Sequence, residues 1–334
     1  MILTLQERIG LMVRLGDYLS SESAEWSAVK MGASQKNGWF IPEFIDRAIS
    51  GIARQYLQDD KLQSWVGGYP ELREAKPAKN IGIVMAGNIP AVGFHDFLCA
   101  FLSGHDLSLK LSSKDEVLMK HFIDKLTGWA PALEGHIQVR EMLKGCDAYI
   151  ATGSGNASRY FHYYFEKYPH IIRRNRTSVA VLDGTESTEE LERLSDDVFL
   201  YFGLGCRNVT KLYVPPAYDF APLLAAFGRY GFLKDDHRYR NNFDYNLSIT
   251  LLNGKPYMTD ELMVLLEETS VFSPIGVLHY ETYKNNKDVT GFIQGNEDIQ
   301  CTMGHGYFPF GSAQEPALND YADGVDTMRF LGGL

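Results

Sequence analysis

The chain has 334 residues, 45% hydrophobic and 22% charged, the composition of a globular protein with a large packed interior and not of a disordered one. A formal net charge of -10 excludes nucleic acid as a partner, because phosphate-backbone binding rests on clustered cations; the local cluster Arg173, Arg174 and Arg176 could still hold a small anion. The length predicts two domains plus an appendage. No run reaches the roughly 18 apolar residues that span a bilayer, and Glu7, Arg8, Arg14 and Asp17 interrupt the start, so neither membrane insertion nor a signal peptide is expected. Cys99, Cys146, Cys206 and Cys301 lie far apart without CxxC spacing, which disfavours a metal site or a disulfide scaffold and points to a reducing cytoplasm.

In chain order, Thr4 and Glu7 form a capping-box pattern, and Leu5, Ile9, Met12 and Leu19 recur on one helical face. A second helix is predicted from Pro42, through Phe44, Ile45, Ala48, Ile49 and Ile52. Residues 1–78 therefore read as a helical lead-in. From Asn80 short apolar runs follow, Ile81–Met85, Leu107–Leu111, Ala148–Ala151 and Val179–Leu182, spaced by glycine-rich turns and helical lengths. That alternation predicts a parallel sheet covered on both faces. A second alternating region places strands at Lys211–Val214 and Ser248–Leu252, and the stretch from Gly304, rich in Gly, Pro and aromatics, reads as irregular.

Five segments carry candidate chemistry. Ile81–Pro90 runs from a strand into a Gly-Asn turn, where the Asn88 amide could donate to an oxyanion; a plain turn former is the ordinary alternative. Lys110 ends a strand and Ser112 and Ser113 open the next helix, a place for ribose or phosphate contacts, although a solvated lysine is the commoner outcome. Thr152-Gly-Ser154 sits between a strand and a helix start, which points N–H groups at phosphate, but it lacks the full GxGxxG of a dinucleotide fingerprint. Cys206 follows Gly-Leu-Gly, where small neighbours admit a substrate and Arg207 would favour the thiolate; a buried, inert cysteine is the alternative, and the expected state of Cys99. His305, in a glycine-flanked turn, could move a proton near neutral pH or simply face solvent.

Taken in order, Gly87-Asn-Ile-Pro90, a strand ending in Lys110 with Ser112 two places on, Thr152-Gly-Ser154, and Gly203-Leu-Gly-Cys206 resemble the aldehyde dehydrogenase superfamily. With Asn37-Gly-Trp-Phe40 and Asn319-Asp-Tyr-Ala-Asp-Gly324, the chain is similar to the LuxC-type acyl-CoA reductases over most of residues 30–330. The resemblance implies Cys206 as nucleophile, Asn88 as oxyanion donor, and Lys110, Ser112, Thr152, Gly153 and Ser154 at the dinucleotide. Met303-Gly-His305 is similar to the Gly-His turn of acylating aldehyde dehydrogenases, which makes His305 a candidate acid. Where hydrolytic members carry a glutamate in Glu-Leu-Gly-Gly-Lys, this chain has Arg173-Arg-Asn-Arg-Thr177, and Ser270 stands at the family's second acid. Ser113 and Lys114 replace the glutamate common in NAD-preferring relatives, so NADPH is the expected cofactor.

The expected fold is thus α/β and aldehyde-dehydrogenase-like: a helical segment (1–78), a doubly wound dinucleotide domain (79–184), a smaller α/β catalytic domain bearing the cysteine (185–305), and a C-terminal segment (306–334) returning to the cofactor domain, with the active site between the domains. The expected activity is NADPH-dependent reduction of an acyl-CoA, of the fatty acyl class, to an aldehyde. Oxidation of an aldehyde to an acid, and an inactive acyl- or nucleotide-binding protein, are the alternatives. A homo-oligomer and an acyl-donating partner protein are both left open.

Overall fold

A computed structural model of the chain describes residues 3–334 except Ala75 and Ser154, and only the backbone of residues 286–288. Ser154, expected at the dinucleotide, thus lies outside the described residues. The chain forms two compact units, Met1–Asn175 with Pro316–Leu334, and Arg176–Glu315. Among the described residues no helix is long and apolar enough to cross a membrane.

The N-terminal segment is helical. Helix α1 (Leu5–Leu19) starts from the Thr4/Glu7 capping box, both halves of which form, and buries Ile9, Met12, Leu15 and Leu19. Ser23 caps α2 (Ala24–Lys36); α3 (Pro42–Tyr56) has its proline in the first turn and buries Phe44, Ile45, Ile49 and Ile52; α4 (Asp59–Gly67) follows. Their apolar faces join the core of the first unit.

That unit is built on a five-stranded parallel sheet of order β3-β2-β1-β4-β5, comprising β1 (Asn80–Val84), β2 (Asp106–Lys110), β3 (Ile137–Val139), β4 (Ala148–Thr152) and β5 (His170–Arg173). Helices α5 (Phe94–Ser103), α6 (Glu116–Trp129) and α7 (Gly155–Phe165) connect β1 to β2, β2 to β3 and β4 to β5. Side chains alternate between the faces. Ile81 and Ile83 cluster with Phe97, Phe101 and Phe122 of α5 and α6, whereas Tyr149 and Ala151 cluster with Phe161 and Phe165 of α7. Both faces are therefore covered, and the sheet is doubly wound. From Phe97 to Leu102 helix α5 is apolar and buried on every side, because α1 and the C-terminal helix Thr327–Gly332 cover its outer surface.

The second unit holds a six-stranded sheet of order β11-β6-β7-β10-β9-β8: β6 (Thr177–Val181), β7 (Val209–Val214), β8 (Tyr257–Thr259), β9 (Val264–Glu267), β10 (Val277–Thr282) and β11 (Ile299–Gly304). All neighbours are parallel except β8 against β9. Its helices are α8 (Thr188–Phe199), α9 (Ala221–Phe227), α10 (His237–Leu252) and α11 (Asn286–Gln294).

Two local expectations change. The apolar run at Val179–Leu182 does form a strand, β6, but it pairs with β7 and β11 in the second sheet, so residues 79–184 divide after Asn175. Ser248–Leu252, expected as a strand, is the end of α10. Asp236 caps that helix at the amides of Arg238 and Tyr239, and Tyr239, Phe243 and Thr250 are buried on one face while Leu251 and Leu252 are exposed. The cap and the helical stripe override the strand preference of the β-branched pair Ile249-Thr250.

Candidate active site

Open parallel sheets bind ligands at the carboxyl ends of the strands, where the strand order reverses. In the first unit the chain builds β1, β2 and β3 outward, then returns to place β4 on the other side of β1. The loops at that reversal carry Gly87 and Asn88 after β1, and Thr152 and Gly153 leading into α7. Lys110 ends β2 in register with Val84. Asn88, Lys110, Thr152 and Gly153 consequently share one edge, with Asn88 and Lys110 exposed. Ser112 lies against the β1 turn: a Cβ on Gly87 would stand 2.5 Å from its Oγ. The same Oγ accepts the Lys114 amide at 3.3 Å. Ser113 and Lys114 are exposed, and the Lys114 carbonyl accepts from Asn37 Nδ2 at 3.1 Å. A reversal point, a lysine and a helix start on one edge fit a dinucleotide.

Beneath this edge Asp115 is buried, and among the described residues nothing meets its carboxyl oxygens in full hydrogen-bond geometry. Desolvation pushes its pKa well above the ordinary 3.8, with the Ala91 backbone pulling the other way, so burial disfavours the charged carboxylate. A raised folded pKa means that the folded state binds the proton more tightly than the unfolded chain does. The stabilisation is complete below the unfolded value and fades as pH rises through the folded one. Asp115→Asn should therefore melt higher than the parent at alkaline pH and converge with it near ~pH 4. A lower melting temperature for the variant at alkaline pH would instead reveal a partnered carboxylate.

In the second unit, Cys206 lies in the loop between α8 and β7. It is half-buried, whereas Cys99, Cys146 and Cys301 are buried. Burial pushes all three of those thiols up, Cys301 to about 11. The loop begins in strained backbone: Tyr201 (φ 57°), Phe202 (φ 58°) and Gly203 (φ 74°) are left-handed in succession, and Tyr201 and Phe202 are buried. For a non-glycine residue that conformation costs about 1–2 kcal/mol. Asn208, fully buried, opposes it. Its Oδ1 accepts from Gly205 N–H (2.8 Å), and its Nδ2 donates to the carbonyls of Asp197 (3.1 Å), Val198 (3.3 Å) and Leu200 (2.9 Å). These include orphan carbonyls at the end of α8. On β6, Ser178 Oγ donates to the Cys206 carbonyl at 3.1 Å and accepts the Cys301 amide at 3.2 Å.

His305 follows β11. Its Nδ1 meets Asp183 at 2.9 Å and its Nε2 meets Glu190 at 3.0 Å, the carboxylate that also completes the α8 capping box with Ser187. These partners raise the imidazole to about 8 and, with their own backbone and hydroxyl contacts, hold Asp183 and Glu190 at about 2. The sheet does not bring His305 to Cys206. Cys206 lies beside Ser178 and His305 beside Asp183, five residues on, a separation on the order of 15 Å at strand spacing. Direct proton transfer requires hydrogen-bond reach, so this location does not suit the acid role expected from the sequence. His305 instead clamps the β11 turn to α8. The clamp is fully present below the imidazole's unfolded value and lost as pH rises through about 8. His305→Gln should lower the melting temperature near ~pH 6, less so in high salt because the side chain is exposed, and match the parent above ~pH 9. A deficit that persists unchanged at the higher pH would exclude the charge as its cause. Asp183, Glu186 and His305 also bring ligand atoms within 4.8 Å of one another, but these side chains already serve the clamp and the Asp183–Gly184 turn.

No family model matches the chain, and no curated protein matches it. Solved structures do. An aldehyde dehydrogenase from Mycobacterium tuberculosis in complex with NAD+ superposes with a TM-score of 0.65 at 14% identity, over 86% of this chain and 70% of that one. Aldehyde dehydrogenase 21 from Physcomitrella patens, in complex with the reaction product succinate, gives 0.66 at 13%, over 87% and 71%. An NADP-dependent enzyme from E. coli gives 0.63 at 12%, over 86% and 70%. The chain has the aldehyde dehydrogenase fold.

Within this aldehyde dehydrogenase fold, Arg173–Thr177 is the stretch that sequence resemblance matches to the hydrolytic glutamate segment. Arg173 ends β5 and is buried, its guanidinium paired with Asp96 of α5 and donating to Thr327 Oγ1 at 2.8 Å. It is committed to the core of the first unit and does not serve the small-anion cluster expected there. Ser270, at the place of the second acid, is bonded to the backbone of Phe272. The sequence did not single out Asn208, Ser178 or Asp115. The one signal for Asn208 was a polar residue set against the apolar β7 run.

Proposed function

We propose that the chain reduces an acyl-CoA thioester, of the fatty acyl class, to an aldehyde with NADPH, through a thioester on Cys206. The observation that carries this reading is Cys206, the half-buried cysteine of the four, on a loop anchored by Asn208 and Ser178. The aldehyde dehydrogenase fold serves aldehyde oxidation equally well; what favours the thioester is that residues 173–177 hold no carboxylate to activate water. Cys206 attacks the thioester carbonyl and its backbone N–H donates to the oxyanion, a contact worth roughly 3 kcal/mol in other acyl-transfer sites; the Asn88 amide is the second donor that the sequence resemblance implies. CoA leaves as a thiolate and takes up the one proton consumed. Bound NADPH supplies the hydride. The resulting thiohemiacetal anion on Cys206 expels the thiolate to give the aldehyde, a step that needs no acid at His305.

The NAD+ complex and the NADP-dependent enzyme among the structural relatives support a nicotinamide dinucleotide as the cofactor, and Lys110, Ser112, Thr152 and Gly153, with Ser154 by sequence resemblance, are the residues assigned to hold it. Exposed Ser113 and Lys114 would meet the 2'-phosphate without repulsion. NADPH should therefore be preferred, and Lys114→Glu should move the preference toward NADH; a parent protein with equal kcat/KM for both cofactors would refute this. The reaction itself is tested by intact-mass measurement after mixing with a fatty acyl-CoA in the absence of NADPH, followed by peptide mapping. One acyl adduct on Cys206 is expected. No adduct, or an adduct on another cysteine, refutes the proposal.

A further inference from the structure

We infer that Asn208, with Ser178, is the positioning residue for the Cys206 peptide: it holds the left-handed turn Tyr201–Gly203 and thereby aims the Cys206 backbone N–H that serves as oxyanion donor. The inference rests on the reading of Cys206 as nucleophile. Two bulky residues in succession at positive φ persist only where the surroundings over-determine them, and such strain concentrates at functional sites. Here one carboxamide closes both sides of the turn. Its Nδ2 holds the carbonyls of Asp197, Val198 and Leu200 before the turn, and its Oδ1 holds the N–H of Gly205 after it, one residue before Cys206.

Among side chains of this shape only the carboxamide offers two N–H donors and a carbonyl acceptor together: aspartate lacks the donors and leucine lacks both. The second anchor acts from the sheet. Asn208's own carbonyl accepts the Ser178 amide at 3.0 Å and Thr177 Oγ1 at 3.2 Å, while Ser178 Oγ holds the Cys206 carbonyl. The Gly205 N–H, one peptide earlier, is thus tied through Asn208 to the end of α8, the Gly205 carbonyl of the peptide that carries the Cys206 N–H accepts the Asn208 amide at 3.0 Å, and the carbonyl after Cys206 is tied to β6. An oxyanion donor depends on being set in place before the charge develops, and a loop free to relax from its strained turn would lose that direction first.

The test separates aim from access. p-Nitrophenyl acetate acylates a thiol through a tetrahedral oxyanion and needs no CoA recognition; iodoacetamide alkylates the same thiol by displacement, without an oxyanion. In Asn208→Asp, acylation of Cys206, followed by nitrophenolate release and peptide mapping, should slow about a hundredfold while alkylation stays within about threefold. Ser178→Ala, which removes one tether and leaves Asn208 intact, should slow acylation about tenfold with a near-parental melting temperature. It carries the test should Asn208→Asp not fold. Acylation and alkylation falling together, or acylation at the parental rate in the folded variants, would overturn the inference. A parent acylated by the ester but not by acyl-CoA would refute the thioester reading alone, and a parent inert to both would refute the two together.

Discussion

Cys206→Ser is expected to reduce thioester-dependent NADPH oxidation to background while leaving the melting temperature and dinucleotide binding at parental values. Serine is close to cysteine in size and the site is only half-buried, so packing changes little. The chemistry changes greatly, because a hydroxyl is a poor nucleophile without a base. Residues 173–177 offer no carboxylate, and His305 lies at the far end of the sheet with both ring nitrogens engaged. Replacement of Cys99, Cys146 or Cys301 by alanine should cost stability, of the order of 1 kcal/mol, and not activity, since burial disfavours the thiolate at each of them. Appreciable turnover in Cys206→Ser, measured at saturating acyl-CoA, would remove the covalent mechanism.

The features legible in the sequence were those whose causes are local. The Thr4/Glu7 capping box, the Pro42 first turn and the β1, β2 and β4 runs each depend on residues within a few positions, and each formed. Pairing partners are not local. The β6 run looks like any apolar strand, and nothing within it distinguishes β7 and β11 from β5 as neighbours. The same limit explains His305: its glycine-flanked turn was readable, but the sheet edge it occupies is set by the pairing of β11 with β6. Asn208 was hidden for a related reason. Its role comes from carbonyls 8 to 11 residues earlier in the chain, brought within reach only because the chain reverses through Tyr201–Gly203. The segment 248–252 misled in the other direction, since its alternating apolar residues satisfied a strand pattern while the deciding cap, Asp236, lay twelve residues upstream.

Gly87→Ala should be the most damaging single-methyl change on the dinucleotide edge. The added Cβ would stand 2.5 Å from Ser112 Oγ, 2.6 Å from Ser112 Cβ and 3.2 Å from Asp115 Cβ. The hydroxyl could rotate away, but a Cβ is fixed to its backbone, so either the β1 turn or the loop after β2 must move. Overpacking of this kind costs typically about 1–3 kcal/mol. The two loops carry the proposed oxyanion donor Asn88 and the Lys110–Ser112 segment assigned to the dinucleotide, so the strain reaches the dinucleotide residues directly. NADPH affinity measured by calorimetry should drop tenfold or more, on the order of 1.4 kcal/mol, together with a lower melting temperature. Gly10→Ala in α1 is the contrasting case: nothing lies within 4 Å of its added Cβ, and it should melt slightly higher with unchanged affinity. Ser112→Gly combined with Gly87→Ala removes both closest atoms and should recover the fold, though not all of the affinity if Ser112 itself contacts the ligand. Parental NADPH affinity in Gly87→Ala would show that the β1 turn tolerates displacement and that the dinucleotide is held elsewhere.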